Sequence, residues 1–592
     1  MRQSGNKYIK NWDFTFQFAE HGQCNVTMTA VVGHITSLDF PAQFGWGKCN
    51  PGQLFGAPIV EKVPDDKRSV AQNIANEARG AAKLMIWTDC DREGEYIGWE
   101  ILQAARQSNT ALTEENTWRA QFSHLETQHV CHAAAHPVRL DRGAIDAVRA
   151  RMEVDLRTGA SFSRFLTEGM KRRLRGELNQ EATLSYGSCQ FPTLGFVCDR
   201  YTRVRSFVPE PFWYLELETR KERVKTVLSW ARTRVFDRLV ATVIFRQCMQ
   251  SSFATVTHVA TAPTSKWRPL PLTTVELQKN CARYFKMSGK AALDAAEQLY
   301  LKGFVSYPRT ETDSFPRAMD LRKLVQRQTQ SAVWGAYATE LGNGKFSDPR
   351  VGKHDDKAHP PIHPVVFTDG SGLSASEKKV YEYIVRHFLA CCSQDAKGSQ
   401  TTVTLQWGPE KFSASGLTVL ERNFLDVFPY VKWASSKVLP QFVHGEEVAL
   451  SRAELKSGVT APPQHMTEPE LIALMDANGI GTDATIADHI EKVLAREYVV
   501  KVAARSGALF VPSELGMALV KGFDAMLEGV SLTKPFLRKE LECDLGAVVA
   551  GRKTKDAVLA TTVEKFRAVF AVCASKQAML VASYREVIKE NQ

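Results

Sequence analysis

Apolar and polar positions along the chain change period several times, and each change marks a different kind of element. Over roughly the first 135 residues, strand-like apolar runs (VTMTAVVGHI, AAKLMIW) alternate with amphipathic helical patterns (RSVAQNIANEA, EYIGWEILQAARQ). Side chains alternate faces along a strand and share a face every three to four residues along a helix, so this succession predicts an α/β layer. From Arg142 a long helical pattern puts Ile145, Val148, Met152 and Leu156 on one face and continues through RTGASFSRFLTEGMKRRLRG. Period-two runs take over near 212–265 (FWYLELET) and again near 400–450 (TTVTLQW, FSASGLTVL), predicting two β segments that pair across a long insertion. The insertion is helical; it opens at Thr273 and Glu276, spaced as a capping box, and closes near RHFLACCSQ. Helical patterns return from Thr467, interrupted by GIGTDAT and by an expected hairpin in VVKVAARSGALFVPS. The fold class expected is α/β plus all-α and β segments, divided into several domains because 592 residues exceed what one core organises.

Composition narrows the partners. With 44% hydrophobic and 24% charged residues the chain reads as a soluble protein, and no apolar run approaches the roughly 20 residues of a membrane helix. A formal charge of +10 fits a polyanionic partner if the excess lines one groove, which makes nucleic acid the leading class. The twelve cysteines form no CxxC pair, so no structural zinc is expected and reduced thiols are the simplest account. The opening MRQSGNKYIKNWDF has neither a secretory apolar core nor an Arg/Ser-rich transit pattern.

Two short stretches carry candidate chemistry. In TDCDREGE, Asp89, Asp91 and Glu93 follow the strand LMIW, and alternate residues leaving a strand point to one side. Three converging carboxylates repel one another unless a cation such as Mg²⁺ neutralises them; the alternative is that Asp89 or Asp91 caps the following helix. The position at the carboxyl edge of an α/β unit favours metal. In GFVSYPRTETDSFP, a helix with Ala292, Ala295, Ala296 and Leu299 inward ends at Gly303, and Pro308 then holds Tyr307 extended beside Arg309. Alone, that tyrosine reads first as a packed turn residue. His34 in VVGHI reads as a structural residue.

The two stretches together resemble the type IA DNA topoisomerase family, whose Toprim domain carries DxDxE and whose nucleophile lies in a SYPRTET-like segment. Four further segments match in order: VDLRTGASFSRFLT, SYGSCQFPTLGF, KAHPPIHP and GIGTDATIADHIEKVLAREYV. RHFLACCSQDAKG and SKWRPLPLTTVEL look most like the family's eukaryotic topoisomerase III alpha branch. The resemblance implies a toroid: a Toprim domain (1–137), a DNA-binding helical domain in two parts (138–208 and 459–592), a two-part β arch (209–266 and 393–458) and a helical gate (267–392). It implies Tyr307 as nucleophile, Arg309 and His359 beside it in catalysis, and Mg²⁺, with Mn²⁺ as an alternative, on Asp89, Asp91 and Glu93. Arg157, Arg164, Lys171, Arg172, Arg173, Gln190, Thr482, Asp483 and Thr485 become candidate DNA contacts. For the basic run, which extends to Arg175, the alternative is a solvated helix face; for the threonines and Asp483 it is a helix cap. The partners implied are single-stranded or underwound DNA, a RecQ-type helicase and an OB-fold cofactor, with a nuclear location and a mitochondrial pool as its variant.

The family's opening strand and EK-containing loop do not precede the matched region, so Met1 is expected to fall inside the Toprim domain, and the C-terminal CxxC modules of longer relatives do not occur. Two other readings use the same residues: a DNA-binding scaffold without cleavage, and a Toprim nuclease or primase, which shares DxDxE without needing the tyrosine.

Overall fold

The computed structural model describes residues 1–592 apart from 19–21, 176, 178–180, 182, 437–438, 483–484, 505–506, 592 and the side chain of residue 591. In the first 135 residues, the helices Arg68–Ala78 and Arg92–Arg106 form where the 3.6-residue period is strongest. They bury Val70, Ile74, Leu102 and Ala105 together with Ile9 and Ile35. The strands between them are shorter than their apolar runs. VTMTAVVGHI contributes only to the strand Gly22–Met28, antiparallel to Lys10–Phe18; the rest of the run leaves the strand before Gly33, whose φ of +65° lies outside strand geometry. Leu84–Ile86 pairs in parallel with Thr117–Arg119, so the sequence just after Ile86 leaves the sheet at the carboxyl end of a strand.

The helix Arg142–Arg173 runs the full length of the pattern beginning at Arg142. Its later half and the helix Gln190–Arg205 share one buried core with helices drawn from 468–575. The centre of that core is aromatic: Phe162 meets Phe570 at 5.3 Å and Phe191 meets Phe523 at 5.4 Å, edge to face. Burying each such ring contributes on the order of 2–3 kcal/mol, enough to hold two distant stretches of sequence together. The hairpin expected in VVKVAARSGALFVPS is present as Val499–Ala504 against Gly507–Pro512.

The two β segments do pair across the insertion, and they close. Pro211–Lys221 bonds to Glu447–Val459 and Phe253–Lys266 to Ala396–Trp407, with Val224–Trp230 and Glu410–Glu421 completing a six-stranded antiparallel barrel. Leu215, Leu228, Trp230, Leu405, Trp407 and Phe412 fill it, and closure removes the sheet edges that an open arch would expose.

The helical insertion has its own core, built around Tyr383, Phe388, Leu299 and Val305. Its first helix, Thr274–Phe285, is capped by Thr273, whose hydroxyl accepts the Glu276 N–H at 3.3 Å. Its second, Gly289–Leu301, buries Ala292, Ala295, Ala296 and Leu299 and stops at Gly303, whose φ of +80° closes the helix through a Phe304 N–H bond to the Leu299 carbonyl at 2.9 Å. Tyr307 belongs to this core and emerges at its face toward the α/β unit.

Candidate active site

The acidic loop after Ile86 is held from beneath by one arginine. Arg119 is fully buried; its Nε donates to Glu95 at 2.8 Å, its Nη1 to the Thr88 carbonyl and hydroxyl at 2.6 and 2.8 Å, and its Nη2 to the Asp89 carbonyl. A buried guanidinium is tolerated only when its donors are matched in this way. The loop also presses on the helix that follows it: a Cβ on Gly94 would sit 1.9 Å from the Asp89 carbonyl oxygen, so glycine is required there.

Asp91 caps the following helix with one oxygen and meets the tyrosine with the other. Its Oδ1 accepts the Gly94 N–H at 2.7 Å as the N-cap of the helix Arg92–Arg106, while Oδ2 accepts the Tyr307 phenol O–H at 2.9 Å. Asp89 is exposed on one side; protein packed around its other sides, with Asp91 alongside, raises its carboxyl to about 6. Glu93 does not join them. It receives Arg151 at 2.6 Å and faces His34 Nε2 at 3.1 Å, and among the described residues no three metal-ligating side chains converge. Asp89 and Asp91 lie alongside each other, and Glu93 points elsewhere. The reason is geometric: Glu93 lies inside the helix, where successive residues turn by about 100° rather than alternating as along a strand. His34, which burial would push down, is lifted to about 9 by Glu100 and Glu93, consistent with its structural reading.

Tyr307 arrives from the insertion 216 residues further along the chain. Its N–H donates to the Ser123 carbonyl at 2.8 Å, and the next residues are clasped by Thr274, whose hydroxyl bonds the Pro308 carbonyl at 2.7 Å and accepts the Thr310 N–H at 2.7 Å. The ring is 3% exposed, 4.5 Å from the His359 ring and edge-on to Tyr300 at 5.3 Å. Burial, then the Asp91 and Asp89 anions, push the phenol well above the usual tyrosine value, with Arg309 offsetting part of this. Arg309 lies near the phenol, but its Nε and Nη2 both bond Glu297 Oε1, at 2.7 and 2.6 Å. His359 is buried and neither ring nitrogen makes a well-formed hydrogen bond among the described residues. Its loop is fixed by Asp356, which accepts the His359 N–H at 2.8 Å and the Thr310 hydroxyl at 2.8 Å.

The remaining candidates lie away from this cluster. Arg157 donates to the carbonyls of Leu54, Phe55 and Ala57, and Arg164 to those of Phe44 and Gly45, so both guanidiniums pin the 42–57 loop to the long helix. Lys171, Arg172 and Arg173 occupy the last turn of that helix, where positive charge opposes the helix dipole. Gln190 begins its helix and receives Arg496 through its side-chain oxygen. Thr482 and Thr485 bond each other and start the helix Ile486–Ala495, with the Thr482 N–H on the Thr485 hydroxyl at 2.9 Å; Asp483 lies outside the described residues. Sequence reasoning missed Arg119, Ser123, Arg151 and Glu297, which act through contacts that no spacing encodes. Asp356 had a visible signal, the acidic pair just ahead of KAHPPIHP.

Comparison with known proteins gives the family. Residues 139–560 match the family described as DNA topoisomerase, and 13–125 match the Toprim domain. "DNA topoisomerase 3" of Candidozyma auris is 53% identical over 96% of this chain and 89% of its own length, and that of Saccharomyces cerevisiae 49% over 96% and 92%. The human "DNA topoisomerase 3-alpha" is 43% identical over 97% of this chain and 56% of its own length. Topoisomerase I from Thermotoga maritima superposes with a TM-score of 0.71 at 24% identity, covering 91% of this chain and 85% of that one. The chain therefore belongs to the type IA DNA topoisomerase family, on its topoisomerase III branch.

Proposed function

We propose that this chain cleaves and rejoins one DNA strand by transesterification at Tyr307, relaxing negative supercoils and separating recombination and replication intermediates. The observation that carries the reading is the 2.9 Å bond from the Tyr307 phenol to Asp91 across the seam between the insertion and the α/β unit. Attack of the phenol oxygen on phosphorus forms a 5′-phosphotyrosine ester and releases a 3′-hydroxyl. One ester replaces another, so no external energy is consumed.

Because burial keeps the phenol protonated, its proton has to leave as the new P–O bond forms, and Asp91 Oδ2 is the acceptor already in contact. The departing 3′ oxygen takes its proton from the surrounding water. Arg309, freed from Glu297 by a competing phosphate, supplies a bidentate guanidinium to the non-bridging oxygens. His359, with no well-formed bond at either ring nitrogen, is the group we assign to orienting that phosphate.

The oxygen donors Asp89 and Asp91 suit Mg²⁺, since a carboxyl lifted to about 6 beside a second carboxylate gains most from an added cation. Asp89 and Asp91 would hold Mg²⁺, or Mn²⁺ in its place, joined by Glu93 if Arg151 released it, and the ion would supply positive charge near the phosphate. We assign Lys171, Arg172, Arg173, Gln190, Thr482 and Thr485 to the bound strand, and Arg157 and Arg164 to the wall behind it. The separate barrel and insertion cores and the shared helical core support a division into Toprim, DNA-binding, barrel and gate domains, although the insertion core reaches Phe428, past the expected gate boundary at 392. The nuclear location, the RecQ-type helicase and the OB-fold cofactor belong to the same proposal; no described helix is long and apolar enough to cross a membrane.

The test is covalent capture. A labelled single-stranded oligonucleotide becomes attached to the wild-type protein and not to Tyr307→Phe; the same adduct on the phenylalanine variant would remove the assignment. Cleavage with free 5′ ends and no adduct would point instead to a Toprim nuclease.

A further inference from the structure

The turn that holds the nucleophile's backbone is itself held by two imidazoles. Ser123 accepts the Tyr307 N–H, and its own N–H donates to His129 Nε2 at 3.0 Å. Three residues on, the Glu126 N–H donates to His124 Nδ1 at 3.4 Å, and the two rings stack with centroids 4.0 Å apart. The same turn reaches the acidic loop, because the Phe122 N–H donates to Cys90 Sγ at 3.2 Å and the Phe122 carbonyl receives that thiol at 3.3 Å. It also receives the insertion a second time, through Arg327 on Glu126 at 2.6 Å. One turn, from Phe122 to Glu126, thus joins the acidic loop, Tyr307 and Arg327.

An imidazole nitrogen that accepts a hydrogen bond carries no proton, so both bonds exist only while these histidines are neutral. We propose that His129, acting through Ser123, is a positioning residue for Tyr307, and that protonating the His124–His129 pair loosens this seat and favours release of the Tyr307 segment from the α/β unit. The proposal rests on Tyr307 as the nucleophile for its functional meaning.

The surroundings set the sign. His129 is pulled below the ordinary histidine value by burial and His132; His124 is pulled to about 4 by burial, His129 and His363, with Arg327 adding to this. His363 faces the pair from the insertion and is itself lowered to about 4 by burial, while His132 packs on His136. Glu126 alone among these groups favours protonation, and it is committed to Arg327. Groups held neutral in the seated state take up protons on release, so the seat is whole above the ordinary value of about 6.5 and weakens as pH falls below it.

The experiment is hydrogen exchange of the Tyr307 amide in the full chain without DNA, expressed as a protection factor corrected for intrinsic exchange, from pH 7.5 to 5. The Phe304 amide, bonded within the same body to Leu299, serves as the reference. In the wild type, Tyr307 protection falls relative to Phe304 by up to about tenfold per pH unit for one proton taken up. In the His124→Gln/His129→Gln pair, whose amide oxygens accept but do not titrate, the fall disappears; His129→Ala lowers Tyr307 protection even at pH 7.5. A flat wild-type profile, a wild-type slope in the double variant, or undiminished protection in His129→Ala would each overturn the inference. Because this readout needs neither DNA nor cleavage, its failure is separable from failure of the adduct assay.

Discussion

Asp91 performs two tasks with its two oxygens, and a pair of substitutions separates them. Asparagine keeps an oxygen for the Gly94 N–H, a role in which Asn and Asp are about equal, but removes the charge that takes the phenol proton. Alanine removes both. Loss of the cap costs about 1 kcal/mol. Loss of a hydrogen bond to a charged acceptor costs about 1.5–3 kcal/mol, which at about 1.4 kcal/mol per decade is roughly a 10- to 150-fold drop in rate if the bond is made in the transition state. Single-turnover adduct formation on a labelled oligonucleotide, together with urea unfolding of the same proteins, is the assay. Asp91→Asn is expected to unfold like the wild type and form adduct 10- to 150-fold more slowly; Asp91→Ala is expected to be as slow and also about 1 kcal/mol less stable. Wild-type adduct rates in Asp91→Asn would refute Asp91 as the proton acceptor. Equal stability of the alanine and asparagine variants would refute the cap.

Removing Arg119 as Arg119→Met strands Glu95 without its buried partner and should cost about 3–5 kcal/mol, read as a lowered urea midpoint for the α/β unit. Gly94→Ala drives a methyl into the Asp89 carbonyl, so the acidic loop must shift; adduct formation should fall well below that of Gly80→Ala, a position open to solvent, measured in the same assay. Asp89, with its carboxyl raised to about 6, disfavours the folded state while ionised, and that penalty is relieved as pH falls from 7 toward the unfolded value near 4. Melting in EDTA should therefore show Asp89→Asn more stable than wild type at pH 7.5, with the gap closing at pH 5 and the stabilisation by Mg²⁺ reduced.

The elements were legible where periodicity was strong and where a terminus was chemically marked, as at Thr273 and Gly303. Lengths of strands in the α/β unit were not, because an apolar run such as VTMTAVVGHI records neither pairing nor burial: the strand ends at Met28, and Met28 and Val32 are exposed. Pairing of the two β segments was visible as matched alternation, whereas closure into a barrel depends on which strands face each other across the insertion. At the site, the two motifs singled out Tyr307 and Asp91, which the fold brings to 2.9 Å with Asp89 alongside. What the sequence could not show is that Glu93 turns away toward Arg151, that Arg309 is held by Glu297, and that the arginines at 157 and 164 are spent on carbonyl oxygens. The first and last of these depend on partners far away in the chain, and Arg309–Glu297, only 12 residues apart, depends on how the helix end turns into the loop.

The barrel's route through the chain has a consequence for how the protein is made. The strand Pro211–Lys221 takes one neighbour, Val224–Trp230, at once, but its other neighbour is Glu447–Val459, with the whole insertion emerging from the ribosome in between. At roughly 5–20 residues per second, synthesis leaves that second edge unpaired for on the order of ten seconds or more. The insertion draws its core from residues 272–428 and can therefore pack before the barrel closes around its base. Between Pro211 and Val459, packing thus runs from the middle outward, the nucleophile's own body before the barrel, and the exposed strand edges are the part of this stretch most in need of a chaperone.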